Sequence, residues 1–294
     1  MASLNTKAPL VVIVGETASG KSALAFELAQ RFDGEIICAD SRTVYKGLDI
    51  GTAKPTPEDQ SRIPHHCLDI VEPDQTFTAA DFKAQAMAAI QGMTGRGKLP
   101  IMVGGTGLYV DSVVYDYQFR PPADPEQRME LQGLTVPELQ QRLSVQGITL
   151  PENEMNPRHL IRAIETKGRQ PDRRPLRQNT LILGLRPEAE ELRQRIARRV
   201  DSMMRGGLMD EARELSETHG WDAAPMQTIG YQEWKKYLDG SQDLGQTTDL
   251  IVRHTLAYAK RQRTWFKRNN SVHWLSNGEE LAQSVELTTT LLNK

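Results

Sequence analysis

A chain of 294 residues, 38% hydrophobic and 25% charged, is long enough to bury one ordinary core and a small second lobe. No apolar run approaches the roughly 20 residues of a membrane span, Met1 to Pro9 lacks the apolar stretch of a secretory signal, and the two cysteines, Cys38 and Cys67, give neither a disulfide framework nor zinc-ligand spacing. The expected location is the cytoplasm, and the net charge of −2 divides unevenly: 12 Lys and Arg stand against 17 Asp and Glu up to Glu130, and 24 against 21 beyond it.

In chain order, the apolar run Leu10 to Val14, a glycine-rich loop and the helically spaced Ala23 to Phe32 predict strand, turn and helix. A second strand is expected over Glu35 to Ala39, ending at Asp40. Past the proline-punctuated stretch Gly51 to Gln75, Thr78 to Met93 reads as a helix with Thr78 as its N-cap and Asp81 in its first turn. Leu99 to Val103 reads as a third strand running into Gly104, Gly105, Thr106 and Gly107. Strands alternating with helices predict an α/β fold, a parallel sheet covered by helices, with ligands gathering outside the carboxyl ends of the strands. The glycine loop, Asp40 and Thr106 should converge there.

The alternation stops near Pro121, Pro122 and Pro125, and strand signal returns only at Leu181 to Leu185. Between them Val136 to Leu143 and Arg158 to Glu165 have helical periodicity, separated by the turn-rich Gly147 to Pro157. Residues 121–177 are therefore expected to form a small inserted helical lobe, and residues 1–120 and 178–294 the core. From Pro187 onward the pattern is helical over Glu188 to Met204, Leu208 to Thr218, Tyr231 to Leu238 and Thr248 to Arg268, with a short strand over Val272 to Leu275.

Positive charge is clustered. Pro157 to Arg177 holds Arg158, Arg162, Lys167, Arg169, Arg173, Arg174 and Arg177 against Glu165 and Asp172; Arg253 to Arg268 holds Arg253, Lys260, Arg261, Arg263, Lys267 and Arg268 with no acid. Such surfaces suit a phosphate backbone, although taken alone solvated helix faces are the favoured reading.

Gly15-Glu-Thr-Ala-Ser-Gly-Lys21-Ser22 fits G-x-x-x-x-G-K-[ST] and lies between a predicted strand and a predicted helix, the setting this phosphate- and nucleotide-binding loop requires. Its glycines let backbone N–H groups face a phosphate, the helix N-terminus adds favourable potential, Lys21 brings a point charge and Ser22 can ligate magnesium. Proteins that transfer a nucleotide's terminal phosphate usually carry an acid at the end of a later hydrophobic strand. Here that strand runs into Gly104, Gly105 and Thr106, which disfavours a motor or GTPase cycle and leaves a small-molecule kinase open. Asp40 is the available carboxylate, a general base toward an acceptor or a turn-capping residue. His65 and His66 have no third ligand at metal spacing, so packing or hydrogen bonding is expected of them.

Several stretches together resemble the tRNA dimethylallyltransferase (tRNA isopentenyltransferase) family over nearly the whole chain. They are Gly15 to Ser22; Asp40-Ser41 with Tyr45-Lys-Gly-Leu-Asp-Ile-Gly-Thr-Ala-Lys54-Pro; Pro64-His-His and Leu68-Asp-Ile; Gly104-Gly-Thr-Gly-Leu-Tyr109; and Lys260-Arg-Gln-Arg-Thr-Trp265-Phe. The resemblance implies a P-loop NTPase-like core and transfer of a five-carbon dimethylallyl group from its diphosphate to the exocyclic amine of the adenosine 3′ of the anticodon. The phosphate loop would then hold a leaving group.

By that resemblance, Gly15, Thr17, Ala18, Ser19, Gly20, Lys21, Ser22 and Arg199 bind the diphosphate, with magnesium on Ser22. Thr106 bonds near the bridging oxygen, Asp40 accepts the amine proton, and Arg128 matches a further position important for activity. Arg199 facing solvent and Thr106 capping the next helix are the plainer alternatives. A stacked base must be flipped out to reach a diphosphate. The resemblance puts Asp40, Ser41, Arg42 and Thr43 beside it. It puts Arg158, His159, Leu160, Ile161 and Arg162, and Lys260, Arg261, Gln262 and Arg263, on the anticodon arm, with Trp265 packed beneath. Gln227 and Gln232 depart from relatives that carry arginines there, and the cysteine–histidine finger of eukaryotic relatives does not occur, which implies a bacterial-type enzyme. The expected partners are tRNA and dimethylallyl diphosphate, with no membrane and no protein partner, the chain acting as a monomer. A prenyltransferase of free adenine nucleotides and a small-molecule kinase are the competing readings; an RNA-binding module leaves Lys21 and Ser22 without a use.

Overall fold

The computed structural model describes residues 8–119, 124–169 and 172–293. Pro121 and Pro122, at the expected break in alternation, lie outside the described residues, as do residues 1–7 of the segment tested for a secretory signal. In chain order come β1 (Leu10–Gly15), α1 (Lys21–Arg31), β2 (Gly34–Cys38), α2 (Pro57–Arg62), β3 (His65–His66), α3 (Ala79–Gly95), β4 (Leu99–Gly104) and α4 (Gly107–Val114). Next are α5 (Pro125–Gln132), α6 (Val136–Val145) and α7 (Pro157–Thr166), then β5 (Thr180–Leu185), α8 (Ala189–Arg205) and α9 (Leu208–His219). A 3-10 turn at Ala224–Gln227 precedes α10 (Trp234–Leu238), α11 (Leu244–Lys267), β6 (Val272–Trp274) and α12 (Glu280–Leu292).

The six strands form one parallel sheet in the order β3-β2-β4-β1-β5-β6. Val11 pairs with Ile101 on one side of β1 and with Leu181 on the other. Leu10 to Val14 are each fully buried, which is why the strand reads as an unbroken apolar run and not as an alternating one. Burying each such side chain contributes about 1.5–3 kcal/mol. Val11, Ile13, Ile36, Ile101 and Leu183 pack with Leu24 and Leu28 of α1 and Leu291 of α12. A separate cluster joins Leu192, Ile196 and Val200 of α8 to Tyr231, Trp234 and Ile251. The chain leaves β4 to cross past β1 to β5, so the order reverses around β1, and the crevice at such a reversal is where ligands sit in sheets of this kind.

Residues Met1–Val114 with Leu176–Lys294 make one compact unit and Tyr115–Pro175 the other. The smaller unit has its own core of Leu131, Leu139, Leu143, Leu160, Ile161 and Ile164. It begins at Tyr115, earlier than the expected 121, and the Arg173 guanidinium lies 3.7 Å from the Tyr115 ring centroid, joining its two ends.

Local signals explain most boundaries. Thr78 and Asp81 form a capping box that starts α3, as the sequence reading anticipates. Two helices differ from expectation. The one expected over Tyr231 to Leu238 is helical only from Trp234, because Gly230 turns with φ +97 and donates its N–H to the Glu233 carboxylate at 2.8 Å. The helix expected from Thr248 begins at Leu244, where Asp243 and Gln246 form another capping box. The helices α2, α5 and α12 and the strand β3 are additions to the sequence reading.

Candidate active site

The segments that leave β1, β2 and β4 meet α8 and α11 at the carboxyl ends of these strands, all within the larger unit. The phosphate loop leaves β1 and enters α1 through Gly20, whose φ of +97 only glycine adopts without strain. No side chain caps α1 and no acid sits in its first turn. The N–H groups that open a helix have no intrahelical partners, so they remain available to an anion. Ser19 Oγ, 2% exposed, has no hydrogen-bond partner among the described residues, a buried polar atom left for a ligand to satisfy.

Lys21 points its ammonium at the Glu16 carbonyl. Burial, reinforced by the Arg199 guanidinium and opposed by Asp40 and Glu16, pulls it down to about 7. Arg199 donates from Nη2 to the Thr52 carbonyl at 3.2 Å, and burial lowers it too. It therefore faces the site and not solvent. Arg195, one turn earlier, donates to the Ser19 carbonyl at 3.1 Å and lines the same cavity, and nothing in the spacing of this arginine-rich helix singles it out.

Past β2, Asp40 Oδ1 accepts the Arg42 N–H at 2.8 Å, so the turn-capping role is real, and it uses one oxygen of the carboxylate. The Ser41 N–H donates to Thr106 Oγ1 at 3.0 Å and the Thr106 N–H to the Ala39 carbonyl at 3.2 Å, which bring the ends of β2 and β4 together as expected. Tyr258 of α11 interacts through its hydroxyl with Thr106 and Gln262 and is pushed up to about 12, chiefly by burial. It lines the site and was not anticipated, since nothing in its spacing sets it apart from an ordinary helical tyrosine.

Two cavities occupy this crevice. One, of about 380 Å³, is lined by the phosphate loop, Asp40, Gly104, Gly105, Arg195, Arg199 and Gln262. The other, of about 310 Å³, is lined by Asp40, Ser41, Arg42, Gln227, Gln232, Tyr258 and Arg261 among others. They share Thr17, Asp40, Thr52 and Arg199. A cationic, amide-rich compartment thus adjoins one of mixed lining, where Val200, Met203, Ile229 and Ile251 stand beside the polar side chains, with a carboxylate at the boundary.

Several residues expected on RNA have other duties. Gln262 is 4% exposed and bonds to the phosphate loop, with its Oε1 accepting the Thr17 N–H at 2.7 Å. Arg263 pairs with Glu16, Nη2 to Oε2 at 3.0 Å. The side chains of Thr43, Leu160 and Ile161 are buried. Helical spacing explains the last two, because a face that carries Arg158 and Arg162 outward carries Leu160 and Ile161 inward. Arg158, His159, Lys260 and Arg261 are exposed, as an RNA contact requires. Arg162 lies 3.2 Å from Glu165 Oε2, and Arg128, expected to act in catalysis, lies with Nε 2.9 Å from Glu165 Oε1 in the smaller unit. Trp265 donates to Asp111 Oδ2 at 3.1 Å. His65 Nδ1 is 2.7 Å from the Ile63 carbonyl and His66 Nε2 2.7 Å from Glu35 Oε2, the hydrogen-bonding roles expected of them.

Magnesium in a phosphate site takes one or two protein oxygens and completes its shell with substrate phosphates and water. Ser22, exposed at the start of α1 and lining the larger cavity, fits that demand. No group of three or more His, Cys, Asp or Glu able to hold an ion occurs among the described residues.

The family model described as IPP transferase matches residues 43–269. A tRNA dimethylallyltransferase of Anoxybacillus flavithermus is 42% identical over 277 residues, covering 90% of this chain and 89% of the relative. The chain belongs to the tRNA dimethylallyltransferase family. Within that family, the Bacillus subtilis tRNA dimethylallyltransferase is 39% identical over 286 residues, 92% of this chain and 91% of that one. The crystal structure of a tRNA isopentenylpyrophosphate transferase from Bacillus halodurans superposes with a TM-score of 0.76 at 37% identity, covering 98% of this chain and 97% of the other. A eukaryotic dimethylallyltransferase acting on tRNA superposes with a TM-score of 0.80 at 25% identity, covering 98% and 80%. A P-loop fold of the family is thereby established for this chain, and no helix among the described residues is long and apolar enough to cross a membrane.

Proposed function

We propose that this chain transfers a dimethylallyl group from dimethylallyl diphosphate to the exocyclic amine of the adenosine 3′ of the anticodon (position 37) in tRNA, releasing diphosphate. The observation that carries this reading is the pair of cavities that meet at Asp40 and Arg199, one suited to phosphate and one lined by both polar and apolar side chains. A diphosphate in the first places its bridging oxygen toward the boundary; an extruded purine in the second brings its amine to the same place.

The nitrogen lone pair forms a bond to the allylic carbon as that carbon's bond to the diphosphate oxygen breaks, and the electron pair leaves with the diphosphate. An exocyclic amine delocalised into a purine is a poor nucleophile until its proton has somewhere to go. Asp40 is the base at the boundary that takes it. Lys21, Arg199 and the free amides of the loop are preorganised to meet the charge that develops on the leaving oxygen. Thr106, whose hydroxyl accepts the Ser41 N–H next to Asp40, is the group assigned to the bridging oxygen. Magnesium, held by Ser22 and the phosphates, would supply further charge neutralisation to the leaving group.

The exposed Arg158 and His159 of α7 in the smaller unit, and separately the exposed Lys260 and Arg261 of α11 in the larger, are basic patches that suit a polyanionic acceptor and that a free nucleotide does not need. A tRNA acceptor supports action in the cytoplasm. Labelled dimethylallyl diphosphate tests the acceptor: efficient labelling of tRNA and not of AMP is expected, and the reverse would make the protein a nucleotide prenyltransferase. ADP release from ATP dependent on a small acceptor would make it a kinase.

A further inference from the structure

On α11, Lys260 and Arg261 are exposed, yet the next side chain, Gln262, turns inward and spans two loops. Its Oε1 accepts the Thr17 N–H of the phosphate loop at 2.7 Å, and its Nε2 donates to the Gly105 carbonyl, in the turn after β4, at 3.1 Å. The fit is close: a Cβ on Gly105 would lie 1.9 Å from Nε2. Tyr258, one turn earlier, adds its hydroxyl to the same side chain and to Thr106. Arg263 braces the other side through Glu16, which is 2% exposed.

A carboxamide can accept from an N–H and donate to a carbonyl at once, so it can tie two backbone strands that have no complementary groups of their own in reach. Both ends of Gln262 are spent this way and neither is left for RNA. Bound to Gln262, the Thr17 N–H is withdrawn from the set that faces the diphosphate, and the loop's mouth is fixed against the turn that carries Thr106.

We propose that Gln262 is a positioning residue for the transfer. It clamps the phosphate loop at Thr17 to the β4 turn at Gly105, holding the diphosphate cradle and the Thr106 hydroxyl at the spacing the departing oxygen needs. The proposal rests on the function given above. A carboxylate at this position would repel the Gly105 carbonyl and the diphosphate, until protonation gave it back both a donor and an acceptor.

The test is calorimetric binding of inorganic diphosphate with magnesium to the full-length protein, together with KM for each substrate. At about pH 8, Gln262→Glu is expected to weaken diphosphate binding about tenfold, the loss of roughly one charge-adjacent hydrogen bond, and to raise the donor KM alike. Affinity for tRNA should stay within about twofold. Relative to wild type at the same pH, the defect should shrink toward about pH 5 as the introduced carboxyl gains its proton. A defect that ignores pH, or one shared equally by tRNA, would overturn the clamp. So would fast hydrogen exchange at the Thr17 amide of the wild-type protein without donor, a measurement that needs no variant to fold. Wild type that binds no diphosphate would overturn the proposed function, and the clamp with it; wild-type binding left unchanged by Gln262→Glu overturns the clamp alone.

Discussion

Lys21 and Asp40 divide the reaction's charge between them. Lys21 is pulled down to about 7 by burial and by Arg199. Below that value its ammonium is charged and suits a diphosphate; above it the amine is neutral, and an arriving anion must recruit a proton. Diphosphate affinity is therefore expected to fall as pH rises through 7, with proton uptake on binding near pH 8. Calorimetry in buffers of different ionisation enthalpy should show that uptake in wild type and its loss in Lys21→Met; equal uptake in both would assign the proton to another group. At Asp40, Asn keeps the oxygen that caps the Arg42 N–H and removes the basicity. Asp40→Asn is expected to cut turnover by about 10²–10⁴ while tRNA binding stays within a few-fold. Unchanged turnover would leave Asp40 as a turn residue only.

At the scale of elements, α7 and α11 carry the exposed basic side chains, and their burial patterns set what each residue can do. Arg158 is exposed and Arg162 lies against Glu165, so replacing both with Gln should weaken tRNA binding and flatten its salt dependence, most of the effect following Arg158. A plot of log affinity against log salt measures this, and an equal loss of donor affinity would contradict it. The Glu165 side chain is 1% exposed and depends on Arg128 and Arg162 for compensation. Arg128→Ala is accordingly expected to destabilise the smaller unit by about 1–3 kcal/mol in urea unfolding. Full stability with lost turnover would return Arg128 to a direct catalytic role.

The same elements show what could be read in advance. The phosphate loop and the positions of Asp40 and Thr106 were legible because they sit in local motifs at strand ends, whereas Arg199, inside α8, was placed only by resemblance to the family. The inward turn of Gln262, Arg263, Leu160 and Ile161 was not, since a run of motif residues on a helix gives no sign of which face meets the core until its partners are placed. Tyr258 and Arg195 owe their positions to contacts with segments more than 150 residues away in sequence, as in the bond from Arg195 to Ser19 at |i−j| of 176. The short β3, held in the sheet by His65 and His66 opposite Ile36 and Ile37, has no length in which to show a strand pattern.

For the whole molecule, the site is assembled from β1 and α1, the ends of β2 and β4, and the late helices α8 and α11, so the larger unit must be folded throughout before the crevice exists. Diphosphate with magnesium should consequently raise the melting temperature as its concentration passes its Kd. The central claim is prenyl transfer to one adenosine of tRNA, and mass analysis of tRNA nucleosides after incubation with the protein, magnesium and dimethylallyl diphosphate tests it most directly. A single dimethylallyl unit on the adenosine 3′ of the anticodon is the expected product; unmodified tRNA in the presence of intact donor and folded protein would contradict the account.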